Sequence, residues 1–200
     1  GEEGVAELVA SGDVSVSKAR ELAARTTPDA GGRVTAAGKV ILFGEHAVVY
    51  GRHALALPIT DALSAVAVPD GEPRITIPDW RVSHSLRAED DSPVIALVRR
   101  AAERLGVPHD ACSLHLRARV PAAMGLGASA ALAVAVTRAL ALAHGVAIDD
   151  ERANAIAFDC EKLAHGTPSG VDNTLATLAQ PLLYRRQGDV LVEPVDLQRV

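Results

Sequence analysis

Three clusters of residues stand out because their types and spacing suit chemistry. The first is Pro121-Ala122-Ala123-Met124-Gly125-Leu126-Gly127-Ala128-Ser129-Ala130-Ala131, which joins a strand-like run to a long apolar helical run. Its glycines let backbone approach a ligand without a Cβ in the way. Free N–H groups at the helix start, with the helix dipole behind them, favour an anion such as phosphate. Ser129, in the first turn, offers a hydroxyl of the kind that ligates Mg²⁺. The alternative is a tight strand-to-helix turn with glycine for geometry. The run is neither a GxxxxGK[ST] loop nor a GxGxxG fingerprint.

The second cluster is Gly38-Lys39-Val40-Ile41-Leu42-Phe43-Gly44-Glu45-His46-Ala47-Val48-Val49-Tyr50-Gly51. An apolar strand over Lys39–Phe43 carries a lysine at its start and Glu45-His46 after its end. Surface charges at strand ends are the plainer reading of that strand taken alone. Lys18, Lys39 and Lys162 are the only lysines among 20 basic residues, so a lysine at such a place is less incidental.

The third is Glu161-Lys162-Leu163-Ala164-His165-Gly166-Thr167-Pro168-Ser169-Gly170-Val171-Asp172-Asn173. Glu161 and His165 are one helical turn apart and share a face. Gly166 ends that helix, and the Thr-Pro-Ser-Gly turn presents Asp172. Two carboxylates near a phosphate loop suit Mg²⁺ binding and deprotonation of a hydroxyl. The alternative is a helix cap followed by a second N-cap at Asp172.

The elements that must position these clusters follow from local patterning. Strands are expected over Lys39–Phe43, Ala54–Ile59, Ala62–Val68, Arg74–Ile77 and Val82–Leu86, with Pro58 and Asp61 dividing the second from the third. Ser92-Pro93 opens a helix to about Leu105. Cys112–Val120 alternates as a half-buried strand. Helices are expected at about Ala128–His144 and Asp150–Ala164, then a hairpin around Gln187-Gly188-Asp189. Strands with helices packed on one side make an α+β domain. Before them, Glu2–Ala10 and Ser17–Arg25 read as short amphipathic helices, joined by Gly12-Asp13, with a linker over Thr26–Gly32.

Composition bounds the rest. The chain has 200 residues, 48% apolar and 22% charged, which excludes a disordered, collagen-like or disulfide-stapled chain. With 20 basic against 25 acidic residues, a net charge of −5 and 2% aromatics, nucleic acid is not the expected partner. Cys112 and Cys160 lack metal spacing and read as free thiols of a reducing cytosol. No signal peptide opens the sequence, and Ala128–Ala143 is too short to span a bilayer and carries Arg138. A cytoplasmic, non-membrane protein is expected.

In this order the three clusters resemble the GHMP kinases. Within that superfamily, Gly44–Gly51 and His165–Asn173 resemble the branch that phosphorylates mevalonate. The resemblance covers residues 33–200 and implies the GHMP kinase N-terminal domain, a ribosomal protein S5 domain 2-like α+β fold with a mixed sheet and helices on one face. It implies an ATP-binding role for Gly125, Leu126, Gly127, Ala128, Ser129 and Ala130, with Mg²⁺ on Ser129 and Glu161. Asp172 and Lys39 match the catalytic aspartate and lysine, and His46 and Glu45 match positions near the mevalonate end. The implied reaction transfers phosphate from ATP·Mg²⁺ to the C5 hydroxyl of mevalonate, in isoprenoid biosynthesis. One departure is Gly-Leu-Gly-Ala-Ser where the family usually has Gly-Leu-Gly-Ser-Ser; Ala128 loses a hydroxyl and keeps its N–H.

Two other outcomes stand beside that reading. Phosphomevalonate kinase is the nearest rival, although such relatives tend to carry an aromatic residue at the position of His46. A catalytically silent nucleotide-binding fragment is the other, because the family's C-terminal domain, with its own Gly-rich loop, is not found before Val200. Residues 1–25, with Val5-Ala6-Glu7-Leu8-Val9-Ala10-Ser11-Gly12-Asp13-Val14, resemble the C-terminal end of a bacterial-type hydroxymethylglutaryl-CoA reductase. The expected organisation is therefore a helical extension and linker over 1–32 and a kinase N-terminal domain over 33–200. Fusion to a reductase and a homodimer are the macromolecular expectations.

Overall fold

The computed structural model describes residues 32–69, 72–87, 92–187 and 189–195. The helical extension, most of its linker and the reductase-like stretch lie outside the described residues. Seven strands and four α-helices occur among the described residues: β1 (Val34–Phe43), β2 (Ala54–Pro69), β3 (Arg74–Ile77), β4 (Val82–Ser85), α1 (Pro93–Leu105), β5 (Cys112–Ala118), α2 (Ala128–Ala143), α3 (Asp150–His165), α4 (Val171–Leu178), β6 (Leu182–Gln187) and β7 (Asp189–Pro194). The α+β expectation, the hairpin and three of the helices are as read from sequence.

One mixed sheet runs β4-β3-β5-β2-β6-β7, with β1 pairing β2 along its other edge. Among the described residues only the β3–β5 pairing is parallel. The long strand β2 is the spine. Its second half pairs β5 (Leu63 opposite Ala118) and its first half pairs β6 (Ala54 opposite Tyr184). The sheet shows one covered and one open face. Along β5, Cys112, Leu114 and Leu116 are buried while His115 and Arg117 are exposed, the period of two that a pleated strand imposes.

Two expectations need correction. Ala54–Ile59 and Ala62–Val68 are one strand, because Pro58 and Asp61 mark an irregularity within it and no turn. Asp61 takes φ 52°, and the register shifts between Ala36 opposite Leu63 and Gly38 opposite Ile59. The extra β2 residues bulge out and pairing resumes on both sides. Likewise β1 begins at Val34, so Lys39 lies in the middle of its strand and not at its start.

Helix α2 is buried on nearly all sides, between the sheet and the other helices. Its alanines leave room for close neighbours, and leucines such as Leu140, 0% exposed, contribute roughly 2 kcal/mol each by burial. Arg138 breaks the apolar pattern. Its guanidinium donates to Asp150 Oδ1 at 2.6 Å, to the Thr35 carbonyl at 2.8 Å and to the Thr177 carbonyl at 2.9 Å. One buried cation thereby ties β1, the start of α3 and the end of α4 around α2. Burial pushes the Asp150 carboxyl above its usual range, and Arg138 pulls it back.

Helix α4 answers to the alternative of a second N-cap at Asp172, but it starts two residues earlier than that cap implies. It is only eight residues long and starts behind Gly170 without a side-chain cap. It carries two threonines, Thr174 and Thr177. In the fold both are buried, and their hydroxyls donate back to the Gly170 and Asn173 carbonyls at 2.7 and 2.8 Å. Both cysteines are free and buried, as expected, and burial pushes the Cys160 thiol up to about 12. Among the described residues, no helix is long and apolar enough to cross a membrane.

Candidate active site

The loop after β5 reaches α2 through a chain of left-handed residues: Ala123 at φ 59°, Gly125 at 72° and Gly127 at 71°. The two glycines meet different needs. A Cβ on Gly125 would touch nothing within 4 Å, so this residue faces open space. A Cβ on Gly127 would lie 2.6 Å from Lys39 Cγ. Gly38 matches it from β1, since a Cβ there would lie 2.7 Å from the Leu126 carbonyl. The Lys39 N–H donates to that same carbonyl at 2.9 Å. The loop therefore docks edge-on against β1, and a glycine from each side permits the approach.

The loop's base is anchored as well. The Trp80 indole N–H donates to the Val120 carbonyl at 2.8 Å. Asp79 accepts from the Ala118 N–H at 2.9 Å and from Arg117 at 2.9 and 3.0 Å, which holds its carboxyl below the usual range. At the other end, the Ala131 N–H makes the first intrahelical bond, to Gly127. Helix geometry therefore leaves the N–H groups of Ala128, Ser129 and Ala130 without helical acceptors, aimed out of the helix start. That suits an anion.

Lys39 projects beside this loop. It is 8% exposed, and its Nζ lies 3.0 Å from Asp172 Oδ1. Asp172 stands in the first turn of α4, two residues past the Gly170 cap, and is not itself an N-cap. The pair joins the second and third sequence clusters, which nothing local in the sequence connects.

Glu161 completes the group. It is 3% exposed, and its Oε1 has no hydrogen-bond partner. Burial pushes its carboxyl above the usual range; the Ser129 hydroxyl bond, His165 and Lys39 pull it down, while Asp172 pushes it up. His165 Nε2 lies 3.8 Å from Glu161 Oε2, so the pair shares a helix face as the spacing predicts. An orphaned, buried carboxylate oxygen beside a serine hydroxyl at a phosphate-type loop is the donor set a hard divalent cation takes.

Ser129, Glu161, Lys39 and Asp172 are thus brought together beside Gly125–Ala130. Glu45 and His46 are not: they are exposed, in the turn between β1 and a short 3₁₀ turn over Ala47–Tyr50, and no described hydrogen bond or ion pair links them to Lys39 or Asp172. Ser169 faces inward to its own turn, where its Oγ accepts the Val171 N–H at 3.3 Å. Sequence reasoning missed Asn154, whose side-chain oxygen accepts from Asn173 at 2.6 Å, and Tyr184, whose hydroxyl donates to the Ser169 carbonyl at 2.8 Å. Neither carries a motif; both act only through long-range contact.

Residues 93–180 match the family model described as the GHMP kinases N terminal domain. The fold and the match agree: residues 93–180 carry a GHMP kinase N-terminal domain. Mevalonate kinases are among the chain's sequence relatives. That of Aeropyrum pernix is 35% identical over 83% of this chain and 53% of its own length. That of Methanothermobacter thermautotrophicus is 34% identical over 72% of this chain and 46% of its own length. Among solved structures, L. major mevalonate kinase in complex with R-mevalonate superposes with a TM-score of 0.66 at 31% identity, covering 84% of this chain and 54% of that one. Streptococcus pneumoniae phosphomevalonate kinase shares the fold, with a TM-score of 0.66 at 21% identity. The chain spans about half the length of the relatives it matches.

Proposed function

We propose that the protein carrying this domain transfers the γ-phosphoryl group of ATP to the C5 hydroxyl of mevalonate, giving 5-phosphomevalonate. The observation that carries the reading is the Lys39–Asp172 pair at 3.0 Å, set against the glycine loop. The mevalonate kinase relatives support the acceptor.

ATP would lie with its phosphates on the loop, held by the N–H groups of Ala128, Ser129 and Ala130. Ser129 and Glu161 would hold Mg²⁺, which when bound neutralises phosphate charge. Asp172 accepts the proton of the C5 hydroxyl as that oxygen attacks the γ-phosphorus, and the bond to the ADP oxygen breaks. The Lys39 ammonium balances the carboxylate and offsets negative charge growing on the attacking oxygen. Most of the rate would come from holding the two substrates in line within a site where these groups are already placed. Glu45 and His46, exposed beyond the end of β1, are assigned to the mevalonate side on resemblance. Free thiols at Cys112 and Cys160 are in keeping with a cytoplasmic setting.

The test is an ADP-release assay on the full-length protein with mevalonate and phosphomevalonate side by side. Turnover with mevalonate alone is the expected result. Turnover with phosphomevalonate and none with mevalonate overturns the assignment of the acceptor. Nucleotide binding without turnover on either overturns the enzymatic reading.

A further inference from the structure

Asp172 stands on a short helix whose start must be held against the sheet that carries Lys39. Tyr184, on β6, is 1% exposed, and its hydroxyl donates to the Ser169 carbonyl at 2.8 Å. Gly170 follows at φ 93°, and a Cβ there would lie 2.5 Å from the Tyr184 hydroxyl oxygen. The turn is closed from its other side too, because the Thr174 hydroxyl donates to the Gly170 carbonyl at 2.7 Å. Tyr184 pairs with Ala54 of β2, and Pro58 of β2 pairs with Lys39 of β1. One sheet therefore carries both the lysine and the tyrosine that pins the turn leading to its aspartate partner.

We infer that Tyr184 is a positioning residue for phosphoryl transfer. Its hydroxyl pins the Ser169–Gly170 turn so that the Asp172 carboxylate stays within ion-pair reach of Lys39. A phenylalanine would fill the same core space, so the hydroxyl has a separate role. It meets the Ser169 backbone carbonyl in a half-buried turn, where solvent competes less for the bond. Gly170 belongs to the same device, since only a residue without Cβ admits the tyrosine oxygen so close to the chain. The inference rests on the phosphotransfer reading above. It assigns Tyr184 no contact with ATP, mevalonate or metal.

The test uses the full-length protein, with ATP and the acceptor varied separately. Tyr184→Phe is expected to lower kcat roughly tenfold while KM for ATP stays within about twofold, because the nucleotide groups on Gly125–Ala130 are untouched. In an Asp172→Asn background the same change is expected to cost nothing further. Gly170→Ala should also lower kcat in the parent, and Tyr184→Phe beside it should relieve only the contact with the oxygen, since a Cβ at φ 93° is strained whatever stands opposite. An unchanged kcat in Tyr184→Phe overturns the inference, as does a further loss in the Asp172→Asn background or a parallel loss in ATP affinity. If Tyr184→Phe does not fold, Thr174→Val, which removes the other hydroxyl that closes the turn, is read by the same split between kcat and KM, and an unchanged kcat there overturns the pinning of the turn. A parent enzyme that uses another alcohol overturns the mevalonate reading only, and the Tyr184 comparison is then made on that alcohol.

Discussion

Glu161 serves two opposed demands. As a buried carboxylate with an unpartnered oxygen it costs the folded protein stability, yet that oxygen is what a cation would take. Its carboxyl is pushed above the ordinary range in the folded state. The ionised form is therefore disfavoured on folding, and the cost is full above the folded value and absent below the unfolded one. Glu161→Gln should raise the stability of the metal-free protein by roughly 1 kcal/mol at pH 7.5, with the gain fading towards pH 4. The same variant should lose Mg²⁺-dependent turnover. Urea melts at the two pH values, with a parallel rate assay, check both; lower stability with activity kept would contradict the assignment. Asp172 differs in kind, since its charge is already matched by Lys39.

At the scale of elements, the phosphate-type loop and β1 form one unit. Gly127 is held at φ 71°, and a Cβ there would press on Lys39 Cγ. Gly127→Ala should cost about 1–2 kcal/mol from the left-handed backbone alone. By displacing Lys39 it should also lower kcat roughly tenfold, with thermal melts and initial rates as the readouts. A kcat equal to the parent's would show that the close approach has no bearing on Lys39. Much of these elements was legible beforehand. Helices α1, α2 and α3 have strong local signals: Pro93 at the first turn, Gly166 at a C-terminus, and a long apolar run over Ala128–Ala143. What failed were local signals that tertiary pairing overrode. Pro58 and Asp61 look like chain breakers, yet β1 on one edge and β5 and β6 on the other hold β2 through its bulge. The start of α4 failed too, since the N-cap foreseen at Asp172 falls on Gly170, two residues earlier.

At the scale of the whole molecule, the site is a product of topology. Lys39, Ser129, Glu161 and Asp172 come from β1, α2, α3 and α4, and each was identifiable from its own motif. Their meeting was implied only by the resemblance to the GHMP kinases and by nothing local in the sequence. The sheet order that sets β1 beside the α2 loop, and the Arg138 cluster that draws β1, α3 and α4 around α2, depend on contacts between distant segments. Tyr184 lies wholly in that second category. Under the proposed function, this assembly makes Asp172 the proton acceptor in phosphoryl transfer. The most direct test is single-turnover transfer of labelled γ-phosphate from ATP to mevalonate by the full-length protein, parent against Asp172→Asn. The expected result is a loss of roughly 10²–10⁴-fold in the transfer step with ATP binding kept; transfer at near the parent rate would contradict that role for Asp172.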